Sequence, residues 1–193
     1  MNQIFSTALE IQKFCRERSW SFCFIGGVAI QRWGQPRNTK DVDLTLLTGW
    51  DHEPYVEELV RNFATRPQTN LATILHSRVA LLSTADGVPV DIAFGALEFE
   101  RRTVERSSEW AGPADESLRT CSAEDLVVHK AFAAREHDWT DIDGILVRQQ
   151  DRLDLGLVRR ELRPLAELKA ETDILPELER RVLRAQKKVR RSG

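Results

Sequence analysis

Two aspartates separated by a single residue, Asp41 and Asp43, are the side chains whose type and spacing most clearly suggest chemistry. They begin an apolar run that we predict to be a β-strand, in which residues i and i+2 point to the same face. Two adjacent carboxylates repel each other, so a cation is expected between them. Mg²⁺ is the obvious candidate, because proteins bind it through carboxylates together with the phosphates of a substrate.

A pair of glycines, Gly26 and Gly27, precedes the two aspartates. The pair follows a short apolar run and opens an apolar-periodic segment, so we predict a strand, a glycine turn and a helix. Glycine lets the backbone approach a phosphate closely, and the free N–H groups at the start of a helix favour anions. The alternative is a tight turn that binds nothing.

A third carboxylate, Asp91, interrupts the strongly apolar strand predicted at 88–94. Period-two alternation places Asp91 on the face opposite Val90 and Ile92. One interpretation is an aspartate of an edge strand that faces water. We favour the other interpretation, in which Asp91 lies beside the strand of the acidic pair and completes a catalytic trio.

The segment FIGGVAIQRWGQPRNTKDVDLTL, residues 24–46, carries a resemblance to a known superfamily. The glycine pair followed by DVDL, in a strand–helix–strand context, resembles the nucleotidyltransferases related to DNA polymerase β. The fuller string, with RNTK before the acidic pair, is similar to the abortive-infection nucleotidyltransferase toxins of type IV toxin–antitoxin systems. This resemblance implies transfer of a nucleoside monophosphate from a nucleoside triphosphate to an acceptor hydroxyl, with Mg²⁺ or Mn²⁺.

The resemblance also implies a role for each carboxylate. Asp41 and Asp43 would bridge two metal ions, which activate the attacking oxygen and stabilise the leaving one. Asp91 would ligate the ion beside the attacking hydroxyl and could accept its proton. Gly26 and Gly27 would bind the nucleotide.

One position departs from the superfamily pattern. Relatives commonly carry Ser or Thr directly after the glycine pair, where a hydroxyl can hold a triphosphate oxygen, and this chain has Val28. Binding of the β- and γ-phosphates then depends on Arg37, Thr39 or Lys40, which lie next to the acidic pair in the sequence. The alternative for these three residues is a solvated basic loop.

A second segment, EDLVVHKAFAAREHDWTDIDGIL at residues 124–146, resembles the abortive-infection family again. The resemblance implies that Lys130 neutralises phosphate charge. It also implies that Asp138 or Asp141 orients Lys130 or Arg135. The alternative is a salt-bridged helix pair that holds the two halves of the chain together.

These residues need a sheet and flanking helices to position them, and the fold class that we predict is α+β. A small mixed β-sheet forms the nucleotidyltransferase core over residues 1–98, a connector covers 99–121, and a helical subdomain covers 122–193. In the core we expect helices at 2–18, 28–33 and 55–63 and strands at 21–25, 71–82 and 88–94. Residues 98–119 read as irregular. Helix starts are expected at Ser122 and Thr140, and a helix break near Pro164.

Composition excludes several classes of protein. The 193 residues are 41% hydrophobic and 30% charged with a net charge of −2, which is typical of a globular protein and gives no general nucleic-acid signal. Three scattered cysteines favour neither a disulfide framework nor a zinc site. No apolar run could span a bilayer and no signal peptide is evident, so we expect a cytoplasmic protein without a membrane partner.

The C-terminal stretch RRVLRAQKKVRRSG is strongly basic. It is either a solvated helix end or a surface that attracts an RNA backbone. By family analogy the acceptor could be RNA, such as a tRNA 3′ end, or a protein side chain, and a cognate antitoxin could exist. Two other functions stay open, namely modification of a small molecule of the aminoglycoside type and a catalytically inactive binding module.

Overall fold

The computed structural model describes residues 3–67, 69–112 and 116–192, with side chains described as far as residue 188. The chain divides into two compact units, the first comprising Met1–Val28 and Asn38–Cys121 and the second comprising Ala29–Arg37 and Ser122–Gly193. The first boundary falls inside the helix Gly26–Trp33, which begins with the glycine pair.

The first unit is built on a mixed sheet, as predicted. Its strands are β1 Phe22–Phe24, β2 Val42–Leu47, β3 Ala64–Thr65, β4 Val79–Ser83, β5 Pro89–Gly95, β6 Ser108–Ala111 and β7 Ser117–Thr120. Across the described residues the strand order is β3-β4-β5-β2-β1-β7-β6. β2 pairs with β5 and β1 with β7 in parallel, whereas the other neighbours are antiparallel. The central strand β2 therefore lies between β5 and β1.

Helices cover this sheet and fill the second unit. They are α1 Gln3–Glu17, α2 Gly26–Trp33, α3 Glu53–Asn62, α4 Leu71–Ser77, α5 Glu98–Arg106, α6 Ala123–Ala133, α7 Glu136–Gln149, α8 Leu155–Lys169 and α9 Ile174–Ser192. In the first unit, Ile4 and Ile11 of α1 join Leu44 and Ile92 of the sheet in one apolar core. None of the described helices is both long and apolar enough to span a bilayer.

The strand predicted at 71–82 is wrong in its first half, which forms the helix α4. The side chain of Asn70 caps this helix by accepting the N–H of Thr73 at 2.9 Å. Arg78 ends it in the left-handed conformation, with φ of 57°, and β4 begins at the next residue. A short apolar run without a clear period fits a helix or a strand equally well, and here the local capping decides.

The prediction that residues 98–119 are irregular is also wrong. The first part of this segment is α5, whose N-terminus is held because the Glu100 carboxylate accepts the N–H groups of Ala96 and Leu97 at 2.8 Å. Its second part supplies β6 and β7, and Phe24 of β1 pairs with Thr120 of β7. The charges that suggested irregularity belong to the surface of α5, where Arg101 pairs with Glu98.

The second unit contains the expected C-terminal helices, with different bounds. Ser122 caps α6 by accepting the N–H of Asp125 at 3.1 Å, which confirms that predicted start. The start predicted at Thr140 is wrong, because α7 begins at Glu136. The break predicted at Pro164 is wrong as well. α8 runs through Pro164 while Leu162 and Leu165 are buried, so packing compensates for the lost backbone hydrogen bond.

Candidate active site

The glycine turn is fixed by close approach to two polar side chains. A Cβ atom on Gly26, whose φ is +53°, would lie 2.0 Å from Oδ2 of Asp43. A Cβ atom on Gly27 would lie 2.0 Å from Oγ1 of Thr39. The N–H of Gly27 also points to Oδ2 of Asp43 at 3.4 Å. The start of α2 therefore packs directly against the acidic segment, and a side chain at either glycine position would displace Asp43 or Thr39.

The acidic pair lies where β2 begins. Asp41 immediately precedes the strand and Asp43 is its second residue, while Val42 and Leu44 on the other face are fully buried. This alternation agrees with the shared face predicted for the two carboxylates. Thr39 donates its hydroxyl to Oδ1 of Asp41 at 3.1 Å. Thr39 therefore orients a carboxylate in this structure, and its predicted contact with phosphate stays a prediction.

Asp91 lies directly beside the acidic pair. It is opposite Asp43 in the parallel pairing of β2 with β5, and opposite Leu81 of β4 on its other side. The edge-strand interpretation is wrong, because β5 has a neighbour on both sides. Burial raises the pKa of Asp91, Arg66 opposes that rise and the charge of Asp41 adds to it, and the net pKa lies above the ordinary value. A carboxylate of this kind is suited to accepting a proton.

Sequence reasoning missed Arg66, which follows β3 and forms an ion pair with Oδ1 of Asp91. Its backbone N–H donates to the carbonyl of Leu81 at 2.9 Å, next to the strand that carries Asp91. No local motif marks this arginine. Only the pairing of β3, β4 and β5 shows that it reaches the acidic cluster.

In the second unit, Lys130 is enclosed by carboxylates. Its Nζ donates to Asp138 at 2.9 Å and lies 2.8 Å from Asp141, and the Lys130 side chain is 7% exposed. Arg135 donates to Asp138 at 2.7 Å, and Arg37 donates two hydrogen bonds of 2.8 Å to Asp141. These contacts give the predicted pairing of the two aspartates with Lys130 and Arg135. The contacts between α6 and α7 form the salt-bridged helix pair of the alternative interpretation, and the role of these residues at a phosphate stays a prediction.

The same contacts control the ionisation of the two aspartates. Burial alone would raise the pKa of Asp138, but hydrogen bonds from Arg135 and Lys130 outweigh burial, and the net pKa is below the ordinary value. For Asp141, burial is outweighed in the same way by hydrogen bonds from Arg37 and Lys130, which lower the pKa. Both aspartates therefore stay charged well into the acidic range.

The carboxylates of the first unit suit a hard cation shared with a ligand. Within the described ranges, no group of three or more His, Cys, Asp or Glu side chains is arranged to hold a metal ion by itself. Mg²⁺ seldom needs such a cage, because it is usually held by one or two carboxylates, several waters and substrate phosphates. The oxygen donors of Asp41, Asp43 and Asp91 have the chemistry that Mg²⁺ or Mn²⁺ requires in that arrangement.

Comparison with known proteins gives the chain a family context. The family of the nucleotidyl transferase AbiEii toxin, of the type IV toxin–antitoxin system, matches residues 17–191. An antigenic nucleotidyltransferase-like protein from Paracoccidioides brasiliensis superposes with a TM-score of 0.53 at 14% identity, covering 92% of this chain and 93% of that one. The antibiotic-resistance factor ANT(2'')-Ia superposes with a TM-score of 0.58 at 17% identity, covering 88% and 95%. The search of curated proteins finds no match. The predicted resemblance and fold class are confirmed.

Proposed function

Since this chain belongs to the AbiEii family of nucleotidyl transferase toxins, we propose that it transfers a nucleoside monophosphate from a nucleoside triphosphate to an acceptor hydroxyl in a reaction that requires a divalent metal. The observation that carries the proposal is the placement of Asp91 opposite Asp43, with the charge of Asp41 acting on Asp91. Neighbouring carboxylates disfavour each other's ionisation, so a divalent cation would stabilise this group in addition to Arg66, which among the described residues pairs with Asp91 alone.

Each carboxylate has a distinct proposed role. Asp41 and Asp43 would hold Mg²⁺ or Mn²⁺, oriented by Thr39 and by the N–H of Gly27. When bound, such ions lower the pKa of the attacking hydroxyl and neutralise the charge of the leaving pyrophosphate. Asp91 would accept the proton of the acceptor hydroxyl at its carboxylate, a role that its raised pKa supports.

The residues proposed to bind phosphate do not include residue 28. Val28 is 1% exposed and belongs to the apolar core, so residue 28 offers no side chain to a nucleotide in this conformation. Lys40 is exposed and follows Thr39 directly, so it can neutralise phosphate charge. Arg37 and Lys130 stay proposed nucleotide-binding residues. In the structure both contact Asp141, which supports a role in which Asp138, Asp141 and Arg135 position them.

For the acceptor, we propose RNA, such as a tRNA 3′ end, with a protein side chain as the alternative. The family belongs to toxin–antitoxin systems, which supports a toxin with a cognate antitoxin. The basic end of α9 supports a nucleic-acid partner, since the side chains of Lys187 and Lys188 are exposed. A cytoplasmic location agrees with these partners.

A second candidate function is a catalytically inactive binding module, favoured by the buried Val28 at the hydroxyl position of relatives. Transfer to a small molecule of the aminoglycoside type is a further alternative. Incubation with each labelled nucleoside triphosphate, Mg²⁺ and either total RNA or an aminoglycoside panel distinguishes these functions. Wild-type transfer to RNA is expected, whereas nucleotide binding without any transfer would favour the module.

The matched variants for this assay are Asp43→Asn and Asp86→Asn. Asp86 is an exposed residue of the turn between β4 and β5. We expect Asp43→Asn to abolish transfer and to remove the rise in melting temperature that Mg²⁺ with nucleotide produces by mass action. Asp86→Asn should keep both. Equal transfer by all three proteins would contradict the proposed site.

A further inference from the structure

Arg66 is anchored beside the acidic cluster through the backbone. It follows β3, and its N–H donates to the carbonyl of Leu81 at 2.9 Å. Leu81 is opposite Asp91 in the β4–β5 pairing. The backbone of Arg66 is therefore separated from Asp91 by β4 alone, and its guanidinium reaches Oδ1 of Asp91 across that strand.

The charges around Asp91 explain why the guanidinium lies there. Asp43 is opposite Asp91 on β2, and Asp41 lies two residues before Asp43, at the position just before that strand. Among the described residues, the buried Nε of Arg66 has no hydrogen-bond partner. Most buried side-chain donors are hydrogen-bonded, so hydrogen bonding alone does not account for this position of the guanidinium. The contact of Arg66 with Asp91 is therefore explained by attraction to carboxylate charge.

We propose that Arg66 is the resident counter-ion of Asp91 and competes with a divalent cation for this carboxylate, so that Arg66 sets the metal requirement of the enzyme. The inference rests on the proposed function and adds Arg66 to it as a positioning residue. Arg66 contacts Oδ1 of Asp91, which leaves Oδ2 as the other donor oxygen. A guanidinium and a metal ion beside one carboxylate repel each other, so each weakens binding of the other.

If Arg66 has this role, removing its charge should change the affinity for a divalent cation and the turnover number in opposite directions. Without Arg66 the acidic cluster is more negative, so the affinity for a divalent cation should rise. Asp91 would also lose the contact that orients it, so the turnover number should fall. A purely structural arginine predicts a different result, because loss of local structure lowers metal affinity and turnover together.

The test measures Mn²⁺ binding to the full chain by electron paramagnetic resonance, without nucleotide or acceptor. Arg66→Gln and Arg66→Met remove the charge, and Met keeps most of the aliphatic stem. The control is Arg61→Gln on α3, since the Arg61 side chain is 64% exposed and pairs with Glu57 and Glu58. Both Arg66 variants should bind Mn²⁺ at least about fivefold more tightly than wild type, or ~1 kcal/mol. Arg61→Gln should stay within about twofold of wild type, as expected for a screened surface charge.

A second comparison uses Asp91→Asn as the background. The amide of this variant carries no charge for which Arg66 and the metal ion can compete. Adding Arg66→Gln to Asp91→Asn should therefore change the Mn²⁺ affinity much less than Arg66→Gln does in the wild type. Unchanged or weaker Mn²⁺ binding in folded Arg66→Gln would overturn the proposal, and so would unfolding of both Arg66 variants or no Mn²⁺ binding by the wild type. Failure of the proposed function looks different: the Arg66 variants would bind Mn²⁺ more tightly than the wild type, but the wild type would show no nucleotidyl transfer.

Discussion

Asp43 and Asp91 lie directly opposite each other on the parallel strands β2 and β5. The residues are far apart in the sequence, and sheet pairing alone makes them neighbours. Asp41 completes the group from the position just before β2, close enough for its charge to affect the pKa of Asp91.

Asp91→Asn should separate catalysis from nucleotide binding. The change is nearly isosteric, so the packing of β5 should survive. We expect a loss of turnover of at least ~10²-fold, the scale of a positioned acid–base group. Nucleotide affinity should change by less than about tenfold, or ~1.4 kcal/mol. Single-turnover transfer and calorimetric binding, measured on both proteins, check this. Equal transfer by the two proteins would remove Asp91 from the site.

Gly26→Ala should destabilise the first unit more than Gly87→Ala does. Both glycines have positive φ, so alanine at either position adds backbone strain of about 1–2 kcal/mol. A Cβ atom on Gly87 meets nothing within 4 Å, whereas one on Gly26 would clash with the Asp43 carboxylate. We therefore expect an additional loss of roughly 1–3 kcal/mol for Gly26→Ala. Urea unfolding of the two variants measures this difference, and equal losses would show that Asp43 moves aside without cost.

Lys130→Met should be strongly destabilising, because Lys130 neutralises two buried aspartates. Leaving Asp138 and Asp141 without this partner should cost about 3–5 kcal/mol in the free energy of unfolding. The matched control is Lys13→Met, since the Lys13 side chain is 79% exposed and lies 3.9 Å from Glu17. That surface pair should contribute about 0–1 kcal/mol. Chemical denaturation tests both, and similar small losses would show that the Lys130 cluster adds little to stability.

The same cluster predicts how stability depends on pH. The pKa values of Asp138 and Asp141 are lowered in the folded state, so their stabilisation is present above the unfolded pKa of about 3.9. It is lost as the pH falls through the lower folded values. The urea midpoint should therefore decrease below about pH 4, and more gently in Asp141→Asn. An acid dependence identical in wild type and variant would contradict this assignment.

Charge reversal at Lys187, Lys188, Arg190 and Arg191 tests the role of the basic tail. If the acceptor is RNA, reversal should weaken RNA binding and flatten its dependence on salt, because fewer counterions are released. Transfer to a short acceptor that cannot reach the tail should change little. Filter binding over a range of salt concentrations measures the slope. RNA affinity that is indifferent to these four charges would leave the tail as a solvated helix end.

The sequence by itself determined the motif and much of the local structure. The glycine pair and the DVDL string predicted a nucleotidyltransferase fold with a mixed sheet through their resemblance to known nucleotidyltransferases, and the alternation around Asp91 predicted its face, because these signals depend on residues close together in the chain. The capping of α6 by Ser122 was predictable for the same reason. Short apolar runs were less informative, and the predicted strand at 71–82 proved to be α4 followed by β4.

Only the tertiary structure decided which distant side chains meet. Arg66 reaches Asp91 through the pairing of β3, β4 and β5, a non-local relationship that no sequence period contains. Residues 98–119 looked irregular because the charges of α5 lie on its surface and because β6 and β7 are short strands, with β6 at the edge of the described sheet. Their structure depends on the sheet that they complete. The contact of Lys130 with phosphate stays a prediction, whereas its burial between Asp138 and Asp141 is set by the packing of α6 on α7.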